Sequence, residues 1–570
     1  MSTQTPGNRS TVRVFVTELL DAYRYLGVSP GRYLRLVVIP TVLLAGGVLA
    51  AIVIVRPSPV IAGPAALVVL FVPVTAILYP KLNRDRQTRE IREQYHLFLT
   101  HVTVLSTTNI DRVQVFREVA QREEYGPIAD EMGRIVALVD TWNQSLDDAC
   151  RHRAQRVSSP LLEDFFDRLA YTLSAGQPLD EFLVQEQETM IDQFQVRYES
   201  ALEKIDVLKE LYLSLILAMT FLLVFGAVVP ILIDVSPVTF VGSTVVLYIG
   251  VQVGFVVVMN SVSPKDPVMI DGKGEYAVWR RIDRSLLGGV ALTVVMSGLA
   301  GVVAVGLTPL PPELLPRPLY LGIAVTPLLW PGVVVRRLNS SVGDRDESFP
   351  SFIRALGGVE AVKQTSTASV LEDLRQKDFG VLTEQINRLY RRLRVRISTA
   401  DAWRLFGLET GSYLIRKFAD MYVIGRRMGS DPDQLGTIIA NNFNRVLEVR
   451  QQRSQQTTTI IGIVYGITAV ATFAMFVGLG VVEQMLEVAE TATATDQGFT
   501  SSLFNTSGYT LWVLEVLFLI VILANAVLSA TLVRVTDRGH ILNIFLHAVV
   551  LVWVGAIVAT VTQIGVQGLL

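Results

Sequence analysis

Long apolar runs, uncharged except for Glu515 in one of them, recur along the chain and alternate with polar segments. Nine of these runs, each of about 18 residues or more, have the length and composition of a helix that spans a bilayer. They lie at 36–55, 60–80, 211–233, 238–259, 285–308, 318–335, 459–482, 509–532 and 541–564. The pattern therefore predicts an all-α integral membrane protein with nine transmembrane helices.

Two long polar segments, 81–210 and 336–458, separate groups of these runs. In the first segment apolar residues recur at the helical step of three or four: Ile91, Tyr95, Phe98, Val102, Leu105, then Leu162, Phe165, Phe166, Leu169 and Leu173. Turn-forming stretches, such as YGP at 125–127 and GQP at 176–178, separate the helices. Each segment is therefore predicted to be a bundle of short helices with a polar exterior.

The second polar segment echoes the first at a distance of about 250 residues. A shift of 253 pairs Phe165 with Phe418, Asp167 with Asp420, Gly176 with Gly429 and Asp180 with Asp433, and a shift of 254 pairs Tyr125 with Phe379, Gly126 with Gly380 and Asp147 with Asp401. Each segment also follows one pair of apolar runs and precedes another. We therefore expect two homologous helical domains in a parallel repeat, with a ninth span added at the end.

A long helix is expected where the first domain meets the membrane. No Gly or Pro occurs in the 47 residues from Leu179 to Phe225, and a continuous helix of that length would measure roughly 70 Å. In the second copy we expect the helix to run from Thr437 to Ile461 and to be interrupted at Gly462. The long helix is either a plain stalk or a lever that carries motion to the bilayer.

Basic residues fall almost entirely in alternate loops, and this sets the predicted orientation. Of the 50 Lys and Arg, only Arg56 and Arg317 lie on the opposite side. The N-terminus is therefore expected in the cytoplasm and the C-terminus outside. The predicted order is a cytoplasmic segment 1–35, spans 36–80, cytoplasmic domain 81–210, spans 211–259, cytoplasmic loop 260–284, spans 285–335, cytoplasmic domain 336–458, spans 459–532 with an acidic external loop 483–508, and a cytoplasmic loop with the ninth span at 533–570.

The chain lacks the local sequences that carry common chemistry. DGKGEY at 271–276 has neither the earlier glycine nor the following hydroxyl of a phosphate-binding loop, and HExxH, CxxC and GxSxG are absent. The single cysteine, Cys150, cannot form an intrachain disulfide. The five histidines are not at metal-ligand spacing. We therefore predict no enzymatic activity, no cofactor and no metal site.

The two polar segments carry opposite charge. The first has 16 basic and 24 acidic residues, a net charge of −8, whereas the second has 20 and 14, a net charge of +6. Our candidate partner-docking residues are Arg388, Arg391, Arg392, Arg394, Arg396, Arg426 and Arg427. An acidic protein surface would suit them; a solvated helix face and anionic lipid are the simpler alternatives. No aromatic platform for nucleic acid accompanies them.

Three polar residues lie within predicted spans, where such groups are costly. Glu515 is near the outer end of its span and can reach water, whereas Asn525 and His547 lie at similar depth in consecutive spans. Asn525 and His547 are therefore expected to be able to pair by a hydrogen bond. A proton or ion pathway through these groups is the functional alternative.

The layout resembles the type II secretion system F family, the inner-membrane platform proteins of type IV pilus-like machines. HLFLTHVTVLSTTNIDRVQVFREVA at 96–120 and ALVDTWNQSLDDACRHRA at 137–154 resemble its archaellar assembly branch, FlaJ or ArlJ. The resemblance implies a non-enzymatic platform that works with a hexameric secretion ATPase, archaellin or pilin subunits, other motor-complex proteins and membrane lipid. It would couple the ATPase to filament assembly and rotation, and it is expected to form an oligomer, such as a dimer.

Two other functions remain open from the sequence. Within the same class, the chain could be the platform of an adhesive type IV pilus or of a type II secretion-like system. From a different class, a secondary transporter would suit parallel repeats with many spans. The transporter ranks lower because it would be expected to have small cytoplasmic loops and a polar pathway at mid-membrane. This sequence instead has two large polar segments and few polar residues within its spans.

Overall fold

The computed structural model describes residues 35, 38–41, 86–108, 110–231, 236–270, 277–304, 315–364, 366–494, 510–537 and 539–569. Regular secondary structure in this part of the chain is helical, and Met269 and Ser412 form an isolated bridge. Of the predicted spans 36–55 and 60–80 only residues 38–41 are described, so those two predictions lie outside the described residues.

Seventeen helices, numbered here in chain order, make up most of the described chain. They are 86–106 (α1), Arg112–Ala120 (α2), Pro127–Trp142 (α3), Leu146–Ala154 (α4), Pro160–Ser174 (α5), Leu179–Val228 (α6), Pro237–Val262 (α7), Ala277–Ala304 (α8), Arg317–Val325 (α9), Leu329–Lys363 (α10), Thr367–Leu374 (α11), Thr383–Arg394 (α12), Thr399–Thr410 (α13), Tyr413–Arg427 (α14), Pro432–Ala494 (α15), Leu511–Asp537 (α16) and Asn543–Leu569 (α17). Short 3₁₀ turns lie at Glu123–Tyr125, Val229–Ile231, Thr326–Leu328 and Gly380–Leu382.

Seven helical stretches in the described residues are long and apolar enough to cross a membrane. They are Leu179–Ile231, Pro237–Val262, Trp279–Val303, Arg317–Lys363, Pro432–Ala489, Leu511–Asp537 and Asn543–Val566. The seven predicted spans from 211–233 onward each coincide with one of them. The chain is therefore an all-helical, multi-pass membrane protein.

The chain divides into two compact units, Met1–Met190 and Ile191–Leu570. In the first unit the predicted apolar face of α1 is confirmed, because all five of its residues from Ile91 to Leu105 are buried. The four residues from Leu162 to Leu169 on α5 are buried as well, whereas Leu173 is half-buried. Gly176 adopts a positive φ of 78° just after α5 ends, as the turn signal predicted.

Cys150 lies on α4 in the core of the first unit, and its side chain is fully buried. Burial raises the pKa of the Cys150 thiol far above its usual value, so the reactive thiolate does not form in the folded unit. We expect a maleimide reagent at neutral pH to label the native chain at under about one-hundredth of the rate for an exposed thiol. Mass spectrometry before and after denaturation measures this. Rapid labelling of the native chain would contradict the buried position of Cys150.

The soluble part of the second unit is a bundle formed by the end of α10, helices α11 to α14 and the start of α15. Its centre is a group of packed aromatic rings: Phe349, Phe352, Trp403, Phe406, Phe418, Tyr422 and Phe443. Helices α10 and α15 cross so closely at Gly357 and Gly436 that the Cβ of an alanine at Gly357 would lie 2.3 Å from the carbonyl oxygen of Pro432. The glycines are therefore a packing requirement of this crossing.

The membrane part of the second unit packs around α15 and α16. A continuous apolar cluster joins α6, α7, α15, α16 and α17. The long first helix is confirmed, since α6 is helical from Leu179 to Val228. The predicted interruption at Gly462 is wrong, because α15 continues through it to Ala494. Packing on both sides of Gly462 outweighs the cost of about 1 kcal/mol that an isolated glycine adds to a helix.

Candidate coupling and docking sites

Arg453 on α15 holds together the ends of two membrane helices. It donates hydrogen bonds to the carbonyl oxygens of Val535 and Thr536 in the last turn of α16, at 3.0 and 2.6 Å. It also donates to the Ser263 hydroxyl, which follows α7, and to the Pro264 carbonyl, both at 2.7 Å. The guanidinium is buried. Its positive charge therefore lies at the negative ends of two helix dipoles, and it satisfies two of the last carbonyls of α16.

Arg450 lies one turn before Arg453 and joins the loop after α7 to the soluble bundle. It donates two hydrogen bonds to Asp266, at 2.8 and 2.6 Å, and one of 2.9 Å to Asp346 on α10. Asp346 also accepts a short hydrogen bond from the Ser412 hydroxyl. Arg450 and Asp346 are both almost fully buried. The ion pair is therefore shielded from solvent. Burying either charge without its partner would be costly.

The segment after α7 pairs with the turn between α13 and α14. Ile270 donates its backbone N–H to the Gly411 carbonyl at 3.1 Å, and Tyr413 donates to the Val268 carbonyl at 3.0 Å. Val268 and Met269 complete a small apolar cluster with Ile282, Val335 and Val342. The connection between two membrane helices is thereby fixed to the soluble bundle by backbone hydrogen bonds and apolar packing.

Helix α6 contacts α15 along the same stretch. Gln456 donates a hydrogen bond of 3.0 Å to Asp206, and Arg453 donates one of 3.2 Å to the Tyr198 hydroxyl. Tyr198, Leu202 and Ile205 belong to the apolar cluster that continues into the membrane. Contacts of α6, α7, α10 and α16 thus converge on two turns of α15, which we call the junction: Arg450, Arg453 and Gln456.

Three of the seven candidate docking arginines stabilise the soluble bundle. Arg388 and Arg392 pair with the carboxylates of Glu384 and Glu409. Arg426 lies 3.1 Å from the buried carboxylate of Glu360. These three side chains have partners within their own fold.

Tyr422 is a further partner of that buried Glu360. Its hydroxyl donates to the Glu360 carboxylate at 2.5 Å. Burial, followed by the nearby Glu360 charge, raises the pKa of Tyr422, so its phenol stays protonated as the donor.

The other candidates lie on the surface. Arg391, Arg394 and Arg396 are exposed, and their side chains make no ion pair or hydrogen bond within the described residues. Arg427 is exposed at the end of α14. Val395 and Ile397 alternate with the arginines and are also exposed, Val395 at 70%. We call residues 391–397 the arginine turn; it combines uncompensated positive charge with two apolar side chains.

Glu515 forms an ion pair at one end of the membrane bundle. Its carboxylate accepts a hydrogen bond of 2.6 Å from Arg317, at the start of α9, and one of 3.3 Å from Gln563. Arg317 is one of only two basic residues predicted on the external side. The pair gives Glu515 a partner of opposite charge, so its position has a packing explanation.

Asn525 and His547 do not pair with each other, contrary to the expectation from their depth. The Asn525 side-chain oxygen accepts from Gln252 at 2.7 Å and from Tyr248 at 3.1 Å, and its amide donates to Thr468 at 3.0 Å. The Nδ1 atom of His547 lies 2.8 Å from the Tyr465 hydroxyl. Equal depth did not imply contact, because Asn525 bonds to α7 and to Thr468 of α15, whereas His547 bonds to a different residue of α15, Tyr465.

No group of three or more His, Cys, Asp or Glu side chains that could hold a metal ion occurs within the described ranges. The arrangement instead consists of charge pairs that join helices and of one exposed basic turn.

The chain is 31% identical over 559 residues to flagella accessory protein J of Methanocaldococcus jannaschii, covering 97% of this chain and 99% of the relative. The chain belongs to the flagella accessory protein J family. The protein of the same name from Methanococcus voltae is 31% identical over 567 residues, again with 97% and 99% coverage. Uncharacterized protein MJ1286 of the first organism is 22% identical over 144 residues, a quarter of each chain.

The type II secretion system protein F family matches the chain twice, at residues 98–227 and 364–480. These matches confirm the family resemblance inferred from the sequence. No solved structure matches the chain. Flagella accessory protein J and type II secretion F proteins are structural membrane components, and this member is accordingly not an enzyme.

Proposed function

We propose that this protein is the membrane platform of an archaellum, a type IV pilus-like machine, in which it couples a cytoplasmic hexameric secretion ATPase to filament assembly and rotation. The observation that carries the proposal is the 31% identity, over nearly the full length, to two flagella accessory proteins J. Archaellin subunits and other motor-complex proteins are the remaining partners. The platform of an adhesive pilus or type II secretion-like system is the second candidate, favoured by the double match to the secretion family.

We further propose that the two matched ranges arose by duplication. In each, a glycine with positive φ precedes one helix, Gly126 before α3 and Gly380 before α12. In each, a serine caps the next helix: Ser145 accepts from the backbone of Asp148, and Ser398 from that of Asp401. The two glycines correspond at a shift of 254, whereas the caps favour a shift of 253 from Ser145 onward, with Asp148 rather than Asp147 opposite Asp401.

The proposed membrane topology has nine spans, a cytoplasmic N-terminus and an external C-terminus. Its support is the distribution of Lys and Arg, of which only Arg56 and Arg317 fall on the external side. This topology places both soluble segments, 81–210 and 336–458, in the cytoplasm, where they can meet an ATPase. A dimer is the simplest oligomer for the platform of a symmetric motor.

We assign the arginine turn as the contact for the ATPase and the junction on α15 as the transmission element. The turn offers exposed charge without an internal partner, which an acidic protein surface would complement. The junction connects the same soluble bundle to the ends of α7 and α16 through buried charge. A force applied at the bundle would therefore reach at least two membrane helices, and α6 would carry motion as a lever.

The docking proposal is tested by reversing the charge of the turn with Arg391→Glu, Arg394→Glu and Arg396→Glu in the full chain. Arg392 is left unchanged because it pairs with Glu409. We expect co-purification of the host's secretion ATPase to fall at least about tenfold near physiological salt, and high salt to weaken binding of the unchanged chain.

The matched control makes the same change in charge elsewhere, with Arg89→Glu, Arg112→Glu and Arg156→Glu. These three arginines are exposed and lie in the first unit. The control is expected to retain ATPase binding. Equal binding by the turn variant and the unchanged chain would discard the arginine turn as the contact.

A further inference from the structure

Helix α8 is the least buried of the seven membrane helices described. Only 11% of its apolar 18-residue stretch is buried within the protein, whereas the corresponding stretches of the other six helices are 28% to 50% buried. Its first turns carry Arg280, Arg281 and Arg284, which are all exposed. None of the three makes a side-chain ion pair or hydrogen bond in the part of the chain that the structure describes.

Helix α10 brings two more arginines to the same level. Gly289 on α8 packs against Pro331, and Ile282 shares an apolar cluster with Val335, so α8 and α10 run antiparallel. Arg336 and Arg337 follow Val335 directly and are exposed, and neither side chain makes an ion pair or hydrogen bond in the described ranges. Arg337 lies on the same side of α10 as Trp330, whereas Arg336 lies on the side near His547 and Tyr465. Counted along the helices from Gly288, which packs on Trp330, all five arginines lie about 6 to 12 Å toward the soluble bundle.

Arg280, Arg281, Arg284 and Arg337 carry little internal compensation. Asp283 is the acidic residue between them on α8, and it is exposed. Four guanidinium groups and one carboxylate leave a local charge of +3. Guanidinium groups bind phosphate oxygens through paired hydrogen bonds, and clusters of them beside membrane helices attract anionic headgroups.

The surface next to the arginines is suited to acyl chains. Leu287, Val290 and Val294 continue along α8 from Arg284 and are exposed, Leu287 at 72%. The Trp330 side chain is 56% exposed at the same end of this surface, and tryptophan prefers the boundary between headgroups and hydrocarbon. Charge followed by an apolar strip matches a phospholipid, whereas a free phosphate ion would use only the charged part.

We propose that the ends of α8 and α10 form a binding site for the phosphate of an anionic phospholipid, with Arg280, Arg281, Arg284 and Arg337 as its ligands. The acyl chains lie along Leu287, Val290 and Val294. The bound lipid anchors the boundary between α8 and the soluble bundle. This site is independent of the ATPase contact, because none of its residues belongs to the arginine turn.

The test measures lipid binding by the full chain in an uncharged detergent, using native mass spectrometry. Dioleoylphosphatidylglycerol is expected to remain bound under conditions that remove dioleoylphosphatidylcholine. The variant Arg284→Gln with Arg337→Gln should weaken phosphatidylglycerol binding about 30-fold, since each basic residue near a membrane surface contributes about a fivefold change. The neutral replacement keeps the helix intact because glutamine has a similar helix propensity.

The control variant Arg112→Gln with Arg156→Gln removes the same charge from the first unit and should bind phosphatidylglycerol as the unchanged chain does. Equal losses in both variants would overturn the site, since binding would then depend only on net charge. Equal retention of the two lipids by the unchanged chain would also overturn it. Displacement of phosphatidylglycerol by inorganic phosphate at millimolar concentration would identify a phosphate-ion site and reject the lipid.

Discussion

Arg450→Met is expected to destabilise the contact between the soluble bundle and the segment after α7 by about 3–5 kcal/mol. The substitution leaves Asp346 buried without its cation and removes both hydrogen bonds to Asp266. Because 1.4 kcal/mol corresponds to a tenfold change, amide exchange in peptides covering 264–270 and 411–415 should accelerate by about two to three and a half orders of magnitude. Hydrogen–deuterium exchange with mass spectrometry of the full chain measures this locally.

Arg445 on the same helix provides the matched control. It forms an ion pair of 3.5 Å with Glu448, and both side chains are about half exposed. Arg445→Met should therefore change stability by less than about 1 kcal/mol. If exchange in the two peptides rose equally in both variants, the buried ion network at Arg450 would not be what holds this contact.

Gly357→Ala is expected to cost at least about 3 kcal/mol in the soluble bundle of the second unit. Its Cβ would lie 2.3 Å from the Pro432 carbonyl oxygen and 3.2 Å from the Cα of Gly436. Both neighbours are backbone atoms, so α10 and α15 would have to separate. Exchange in peptides of α10 and of the first turns of α15 should rise by about two orders of magnitude.

The adjacent glycine separates this clash from the general effect of a new methyl group. A Cβ on Gly358 would meet only the Asp433 carboxylate oxygen, at an ordinary 3.5 Å. Gly358→Ala should therefore stabilise α10 by up to about 1 kcal/mol, because alanine favours a helix over glycine. Opposite signs for the two variants are expected; two mild effects of the same sign would contradict the close crossing.

Local sequence patterns predicted much of the fold because they depend on neighbours within one helix. Long apolar runs marked the seven described spans, and the spacing of Phe98 and Val102 or of Phe165 and Leu169 identified buried faces. The prediction at Gly462 was wrong because a local propensity was outweighed by packing along the whole of α15. The alignment of the two copies in this region could not be set from sequence alone, because it depends on the caps at Ser145 and Ser398 that the structure shows.

The junction was not found from the sequence because its partners are distant along the chain. Arg450 and Arg453 stand in VRQQRSQQ, which reads as the polar surface of a stalk. Their partners Asp266 and Ser263 lie more than 180 residues earlier. Two arginines three residues apart, just before an apolar run, were the one local signal that they face the same neighbours.

The candidate arginines could be located from sequence but not sorted by role. Net charge marked the run from Arg388 to Arg396, yet charge alone could not reveal that Arg392 pairs with Glu409. Nor could it show that Arg396 takes a positive φ of 61° where α12 ends. The structure was therefore needed to show that Arg391, Arg394 and Arg396 are the exposed arginines of this stretch. Arg388 and Arg392 form ion pairs within the bundle.

The platform proposal is tested most directly by deleting the gene in its host and scoring surface filaments by electron microscopy, together with swimming and surface adhesion. We expect archaella and swimming to be lost, adhesion to remain, and a plasmid copy of the unchanged gene to restore both. Loss of adhesion pili with normal swimming would assign the protein to the pilus branch. Normal archaella in a strain without any second platform protein would contradict the account.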